Sequence, residues 1–165
     1  MEGKAMCPGS FDPITYGHMD IITRTSKIFD EVVVAIFDNE RKKHLFTLEE
    51  RLKLAEDALD SMPNVTVEAG EGLLVRYARK RGIAVVIKGL RAVSDFEYEF
   101  QMAQMNRSMG NNVETLFMMT KPEHSYLSSS IVKELAHFEG DIGEMVPDNV
   151  AAALRNKLPQ PEEAR

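Results

Sequence analysis

Short apolar runs rich in β-branched residues alternate with longer amphipathic segments along the whole sequence. The clearest runs, at residues 32–37 and 83–87, place apolar residues at consecutive positions. Consecutive apolar positions are typical of strands that are covered on both faces. Weaker runs occur at residues 65–67 and 113–119, and the turn formers Pro8 and Gly9 predict a strand ending near residues 5–7. The alternation therefore predicts an α/β fold, a doubly wound three-layer sandwich with a five-stranded parallel sheet.

Capping boxes mark the starts of two helices. In each box a hydroxyl side chain is followed three residues later by Glu, at Thr47 and at Ser94. The helix after Ser94 is expected to end near Gly110 and to turn an apolar stripe inward: Phe96, Phe100, Ala103 and Met109. The remaining helices are expected at residues 17–29, 73–81 (ending at Gly82), 131–138 (ending near Gly140) and 147–158. Residues 159–165 are expected to form a frayed tail of one domain that spans residues 1–165.

Charge and cysteine content exclude several classes of protein. The chain has 20 Lys and Arg against 26 Asp and Glu, so a general attraction to nucleic acid or to an anionic membrane is not expected. The single cysteine, Cys7, excludes an internal disulfide framework. The longest apolar run is too short to span a bilayer, and the first residues lack the apolar stretch of a signal peptide. A cytoplasmic protein with neither nucleic acid nor membrane as partner is the expectation.

Three loops at the expected carboxyl ends of strands carry residues suited to anions. The first, at residues 8–18, brings His18 into the first turn of a helix. The second, at residues 88–91, follows the fourth strand with two cations, and the third, at residues 120–130, ends in three serines. Each has a simpler reading as an ordinary turn, a solvated charge pair or a helix cap. In doubly wound folds, however, ligands bind where the strand order reverses, so all three loops are expected to face one crevice.

Motifs for other chemistries are missing from the sequence. It contains no P-loop motif and no G-x-S-x-G elbow, and its glycine pair at Gly70 and Gly72 lacks the third glycine of a dinucleotide fingerprint. The four histidines do not show the spacing of a zinc site, so no protein metal site is expected. The residues favour binding and positioning of substrates over a protein nucleophile.

Thr15, Gly17 and His18 form a T-x-G-H element that, with the loop at residues 8–13 and the serine run, resembles the nucleotidyltransferase superfamily. Within it, further blocks over nearly the whole chain resemble the bacterial phosphopantetheine adenylyltransferase family: residues 46–51, 88–99, 105–107 and 128–134. The resemblance implies reversible transfer of an adenylyl group from ATP to 4′-phosphopantetheine, without a covalent intermediate. The products would be dephospho-coenzyme A and pyrophosphate.

The same resemblance implies roles for individual residues. The catalytic set would be His18, Ser10, Lys42, Arg91 and Ser129. ATP would be bound by Ser10, Phe11, His18, Gly89, Leu90, Arg91, Glu99, His124, Ser125, Tyr126, Leu127, Ser128, Ser129 and Ser130. The acceptor phosphopantetheine would be bound by Ser10, Lys42, Leu74 and Lys88. Ser10 and Lys88 stand where threonine and arginine are frequent in the family, which keeps the hydroxyl and the charge but loses the bidentate fork of arginine.

Cofactor and partners are also implied by the family. Mg²⁺ would arrive with ATP, held mostly by phosphate and water. Coenzyme A would act as a feedback inhibitor, and the assembly would be a homohexamer. Two alternatives remain open from the sequence: a regulatory module that binds nucleotide without turnover, and a nucleotidyltransferase with another acceptor, such as nicotinamide mononucleotide.

Overall fold

Five parallel strands form one sheet in the computed structural model, which describes residues 3–38, 43–109 and 113–158. The expected tail at residues 159–165 lies outside these ranges. The strand order is β3-β2-β1-β4-β5, so it reverses between β1 and β4. The predicted five-stranded parallel sheet is confirmed, with the strands β1 (Lys4–Gly9), β2 (Glu31–Phe37), β3 (Val65–Gly70), β4 (Val85–Leu90) and β5 (Glu114–Met119).

Helices cover both faces of the sheet. The described elements comprise α1 (Tyr16–Ser26), α2 (Leu48–Leu59), α3 (Leu74–Lys80), α4 (Val93–Met109), α5 (Ser129–His137), α6 (Asp148–Lys157) and a 3₁₀ turn (Pro122–His124). Residues of α1, α2, α5 and α6 pack with Ala5, Cys7 and alternate residues of β2 in one core cluster. Met6 and the intervening residues of β2 pack with α3 in a second cluster, and α4 packs on β4 and β5 beside α3. This arrangement is the predicted three-layer sandwich. None of the described helices combines the length and apolar character needed to cross a membrane.

The central strand β1 separates from β4 at its carboxyl end. β1 pairs with β2 along its whole length, from Lys4↔Glu31 to Gly9↔Ile36. Its pairing with β4 covers Ala5↔Val85 and Met6↔Val86. Pro8 is accommodated in this strand because a residue without an amide hydrogen fits where ladder pairing has stopped on one side. A crevice therefore opens between β1 and β4 at the point where the strand order reverses.

Three strand ends differ from the sequence prediction, and one of them is the end of β3, which extends to Gly70 beyond the predicted residues 65–67. β1 continues through Pro8 and Gly9 rather than ending before them. β4 begins at Val85 and continues to Leu90, so the segment at residues 88–90 forms the end of the strand and not the loop after it. The reason is the pairing with β5, which extends to Leu90↔Met119 and supplies backbone hydrogen bonds that a lysine and a glycine do not interrupt.

Helix ends were predicted with mixed success. The Thr47 capping box is confirmed, with Glu50 N donating to Thr47 Oγ1 at 3.2 Å and Thr47 N donating to Glu50 Oε2 at 2.7 Å. The helix start predicted after Ser94 is wrong, because α4 already begins at Val93. The helix predicted to end near Gly140 ends at His137, and Glu139 after it is left-handed, with φ of +57°.

The expected inward stripe of α4 is also wrong. Phe96 and Phe100 are 41% and 45% exposed, and Met109 is 47% exposed. Met109 follows Phe96 by thirteen positions, which places it about 220° around the helix and out of phase with the stripe. Among the residues of α4 whose side chains the structure describes, Asn106 is the buried one. Phe96 and Phe100 contact each other, and Phe96 contacts Phe117 of β5, so we call these three residues the α4–β5 apolar face.

Candidate active site

The loop between β1 and α1 places Phe11 against His18. Phe11 has a φ of +46°, a left-handed conformation that residues other than glycine rarely adopt. Its buried ring meets the imidazole of His18 edge-on, with 5.0 Å between the ring centroids. The carbonyl of Ser10 accepts a hydrogen bond of 3.0 Å from Arg51 Nη1. Both predicted residues of this loop are thus fixed at the start of the crevice.

His18 lies in the first turn of α1, where its protonation is set by the helix cap. The backbone N–H of Thr15, the N-cap residue, donates to His18 Nδ1 at 3.0 Å. Burial, reinforced by the positive charge of Arg91, lowers the pKa of His18 to about 4. The imidazole is therefore neutral at pH 7, and because Nδ1 accepts, its proton resides on Nε2. His18 can donate one hydrogen bond to an anion without itself carrying a charge.

Arg91 follows β4 directly and is held by its surroundings. Its Nε and Nη2 donate to Asp95 at 2.9 and 3.1 Å, and its Nη1 donates to the carbonyl of Leu127 at 2.8 Å. A guanidinium has five N–H groups, so two remain for a ligand. Gly89, two residues earlier, brings β4 close to α1, since a Cβ there would lie 3.0 Å from Ile21 Cγ1.

The segment from His124 to Ser130 leads from the 3₁₀ turn into α5. Ser128 is the N-cap, accepting from the Ile131 amide at 3.1 Å. Ser129 Oγ donates to the carbonyl of Pro13 at 2.8 Å, and Ser125 Oγ donates to Pro122 within the turn. The Leu127 side chain is buried and its amide donates to the His124 carbonyl at 3.1 Å, whereas the Tyr126 side chain is exposed.

The three loops predicted to share a crevice meet one another. Arg91 joins the end of β4 to Leu127 through a hydrogen bond. Its positive charge also helps to lower the pKa of His18 on α1. A Cβ at Gly17 would lie 3.7 Å from the Cβ of His124, which places α1 beside the third loop. The structure thus brings together groups that favour an anion: a neutral donor, a guanidinium and the amino end of α5.

Comparison with known proteins gives the family. Residues 6–135 match the model of the cytidylyltransferase-like family. The phosphopantetheine adenylyltransferase of Frankia casuarinae is 56% identical over 95% of this chain and 99% of its own length. The enzymes of that name from Frankia alni and Symbiobacterium thermophilum are 55% and 53% identical, over 93% and 94% of this chain and 97% and 96% of theirs.

The chain belongs to the phosphopantetheine adenylyltransferase family. A solved structure described as a nicotinate-nucleotide adenylyltransferase from Vibrio parahaemolyticus superposes with a TM-score of 0.71 over 94% of this chain and 93% of its own. At a sequence identity of 17%, this match shows similarity of fold alone.

Among the acceptor-site residues suggested by resemblance to phosphopantetheine adenylyltransferases, Lys42 lies outside the residues that the structure describes. Lys88 Nζ lies 3.3 Å from Glu99 Oε2, so a lysine assigned to the acceptor pairs with a carboxylate assigned to ATP. Leu74 begins α3 at the carboxyl side of β3 and packs with Phe37 and Tyr77 against the second core cluster.

Three further charged residues border the site of this adenylyltransferase family member. Arg51 is 1% exposed, and besides Ser10 it contacts the Asp38 carboxylate at 2.6 Å. Asp12 is buried in the β1–α1 loop and pairs with Lys133 of α5 at 2.6 Å. The sequence does carry a signal for Arg51, because helical spacing places it on the buried face of α2 beside Leu54 and Ala55. Asp12 and Lys133 lie 121 positions apart, and no local pattern joins them.

Proposed function

We propose that the chain catalyses the reversible transfer of an adenylyl group from ATP to 4′-phosphopantetheine, giving dephospho-coenzyme A and pyrophosphate. This is the penultimate step of coenzyme A synthesis. The relatives that carry the enzyme name match almost the whole chain. The observation that carries the proposal is the meeting of the loops after β1, β4 and β5 around His18 and Arg91.

In the proposed reaction the acceptor phosphate attacks the α-phosphorus of ATP in line, and the protein positions and stabilises. His18 Nε2–H donates to the non-bridging oxygens of the α-phosphate, where charge builds up in the transition state. Ser10 orients the attacking phosphate, and Phe11 supports the imidazole. Arg91 uses its two remaining N–H groups on the outer phosphates. The residues 124–130, with Ser129 and the amides at the start of α5, surround the triphosphate.

The acceptor side of the site relies on cations. Lys88 holds the phosphate of phosphopantetheine by exchanging its partner Glu99 for the substrate, which leaves Glu99 free to face ATP with Gly89 and Leu90. Lys42 is proposed as a second lysine that approaches the reacting phosphates. Leu74 contacts the pantetheine arm.

Mg²⁺ is proposed to enter with ATP. The described residues contain no group of three or more His, Cys, Asp or Glu side chains placed to hold a metal ion. The cations and hydroxyls around the crevice suit the phosphate groups, so the ligands of the metal ion would be phosphate oxygens and water. When bound, the ion supplies charge neutralisation on the phosphates.

We also propose the wider properties of the family for this chain. The α4–β5 apolar face supports assembly with further copies into a homohexamer, since a monomer rarely leaves such a surface open to water. Coenzyme A, which contains both an adenylyl and a phosphopantetheine moiety, is proposed as a feedback inhibitor that occupies the same crevice. We also propose that the protein is located in the cytoplasm.

An assay of pyrophosphate release tests the reaction. The protein is incubated with ATP, Mg²⁺ and 4′-phosphopantetheine, and in parallel with nicotinamide mononucleotide as acceptor or CTP as donor. Release that requires both ATP and phosphopantetheine is expected. Release with another acceptor alone would assign a different transferase, and binding of ATP without release would favour the regulatory module.

A further inference from the structure

We propose that Asp12 is a positioning residue, a buried carboxylate that locks the β1–α1 loop to α5 and to the start of α2 and so sets the rate of transfer without touching substrate. This inference rests on the proposed adenylyl transfer. Asp12 has no role in the residue set described above, and it is 5% exposed.

Three donors from two distant segments converge on the carboxylate. Its Oδ1 accepts from the Phe46 amide at 2.9 Å, and its Oδ2 accepts from the Leu45 amide at 3.0 Å. Lys133 Nζ donates to the same Oδ2 at 2.6 Å. Burial alone would raise the pKa of Asp12, but the hydrogen bonds from Lys133 and from the two amides outweigh it and lower that pKa. The group is a carboxylate throughout the physiological range.

The link to α5 is doubled by a neighbouring contact. Ser129 Oγ donates to the carbonyl of Pro13, the residue after Asp12. Ser129 and Lys133 stand one helical turn apart and so lie on one side of α5. Two adjacent residues of the β1–α1 loop are thereby attached to the first two turns of the helix that faces the triphosphate in the proposed reaction.

The loop itself needs such support. Phe11 adopts its left-handed φ between two anchored residues, with Arg51 on the Ser10 carbonyl before it and the three donors on Asp12 after it. A residue in a sparsely populated conformation persists when its surroundings over-determine it. Asp12 therefore fixes where Ser10 and Phe11 stand relative to His18, and a misplacement of about 1 Å can reduce a rate by 10²-fold.

The test compares Asp12→Asn, Lys133→Met and the double variant in the complete protein, by kcat, by the KM of each substrate, and by urea unfolding. We expect each single change to lower kcat by about 10- to 100-fold while either KM changes by less than about threefold. The double variant should lose little more than either single one, because the two side chains act as a unit. Lys133→Arg, which keeps the charge, should recover most of the rate.

Arg81→Gln serves as the matched control, because it removes an ion pair of similar length, Arg81 to Glu68 at 2.7 Å, on the other face of the sheet. It should leave kcat unchanged. A merely structural Asp12 would lower stability in urea and leave the kcat of the folded fraction at the wild-type value, which overturns the proposal. If Asp12→Asn does not fold, the Lys133 variants decide, and a Lys133→Met protein with wild-type kcat also overturns it. A wild-type protein that releases no pyrophosphate overturns both this inference and the proposed function.

Discussion

The two ring nitrogens of His18 have separate tasks. Nδ1 is occupied by the Thr15 amide, so the residue that begins α1 also selects the tautomer. Burial and Arg91 keep the ring neutral. The proton on Nε2 is then available at any pH well above 4, which suits a donor that must stabilise charge without transferring a proton.

Replacement of His18 by alanine should lower kcat by about 10²- to 10³-fold, the typical loss for one donor to a developing oxyanion. The KM for ATP should change less than kcat, because the contact strengthens in the transition state. Steady-state kinetics check this, with circular dichroism to establish that the variant is folded. A variant that turns over at the wild-type rate would remove His18 from the mechanism.

Replacement of Arg91 by glutamine should raise the pKa of His18, because a positive charge that disfavours the imidazolium is removed. The new value should stay below 6.5, since burial, the larger cause, remains. NMR titration of the histidine ring protons measures it, with Arg81→Gln as a control that should not move it. An unchanged His18 titration in Arg91→Gln would show that the charge of Arg91 does not affect the pKa of His18.

The depressed pKa of His18 also makes the free energy of unfolding depend on pH. Between pH 6.5 and about 4 the unfolded chain binds a proton at His18 that the folded chain does not. The contribution of the neutral His18 ring to the stability of the fold is therefore complete above pH 6.5 and is lost as the pH falls through about 4. Arg91→Gln should narrow this window, which urea unfolding at several pH values can follow.

At the scale of elements, the turn from β1 into α1 depends on the lack of a side chain at Gly9. A Cβ there would lie 2.9 Å from the Phe11 ring, and that ring packs on His18. Gly9→Ala should lower stability by about 1–3 kcal/mol, as overpacking does, and lower kcat by displacing Phe11. Urea unfolding and steady-state kinetics measure the two effects.

A glycine just before the start of β1 provides a control substitution. At Gly3, just before β1, a Cβ would meet Phe29 at an ordinary 3.8 Å. Gly3→Ala should therefore leave kcat unchanged and cost less stability than Gly9→Ala. Equal effects of the two substitutions would mean that contact with Phe11 is not the cause.

Elements were predictable from the sequence where the signal is local. The capping box at Thr47 and the β-branched run of β2 depend on neighbouring residues, and both were predicted correctly. The end of β4 was placed too early because its extension depends on pairing with β5, about 30 residues away. In the site, the three loops could be predicted from strand ends, whereas the Asp12–Lys133 pair depends on tertiary packing.

On the scale of the whole molecule, the α4–β5 apolar face should control assembly. Phe100→Glu places a charge on this face and should convert the proposed hexamer to smaller species, which light scattering coupled to size exclusion can measure. Phe138→Glu is the control, because Phe138 is 69% exposed near the end of α5 and outside this face. A hexamer that persists in Phe100→Glu, or a protein that is monomeric without substitution, would contradict the prediction.

The short ladder between β1 and β4 divides the sheet into two unequal plates, β3-β2-β1 and β4-β5, which share a narrow seam. A nucleotide lying across that seam would contact both plates and bind the native state while leaving the unfolded chain untouched. Its free energy of binding would then add to cohesion between the plates, so saturation with substrate should raise the melting temperature and slow amide exchange along the seam.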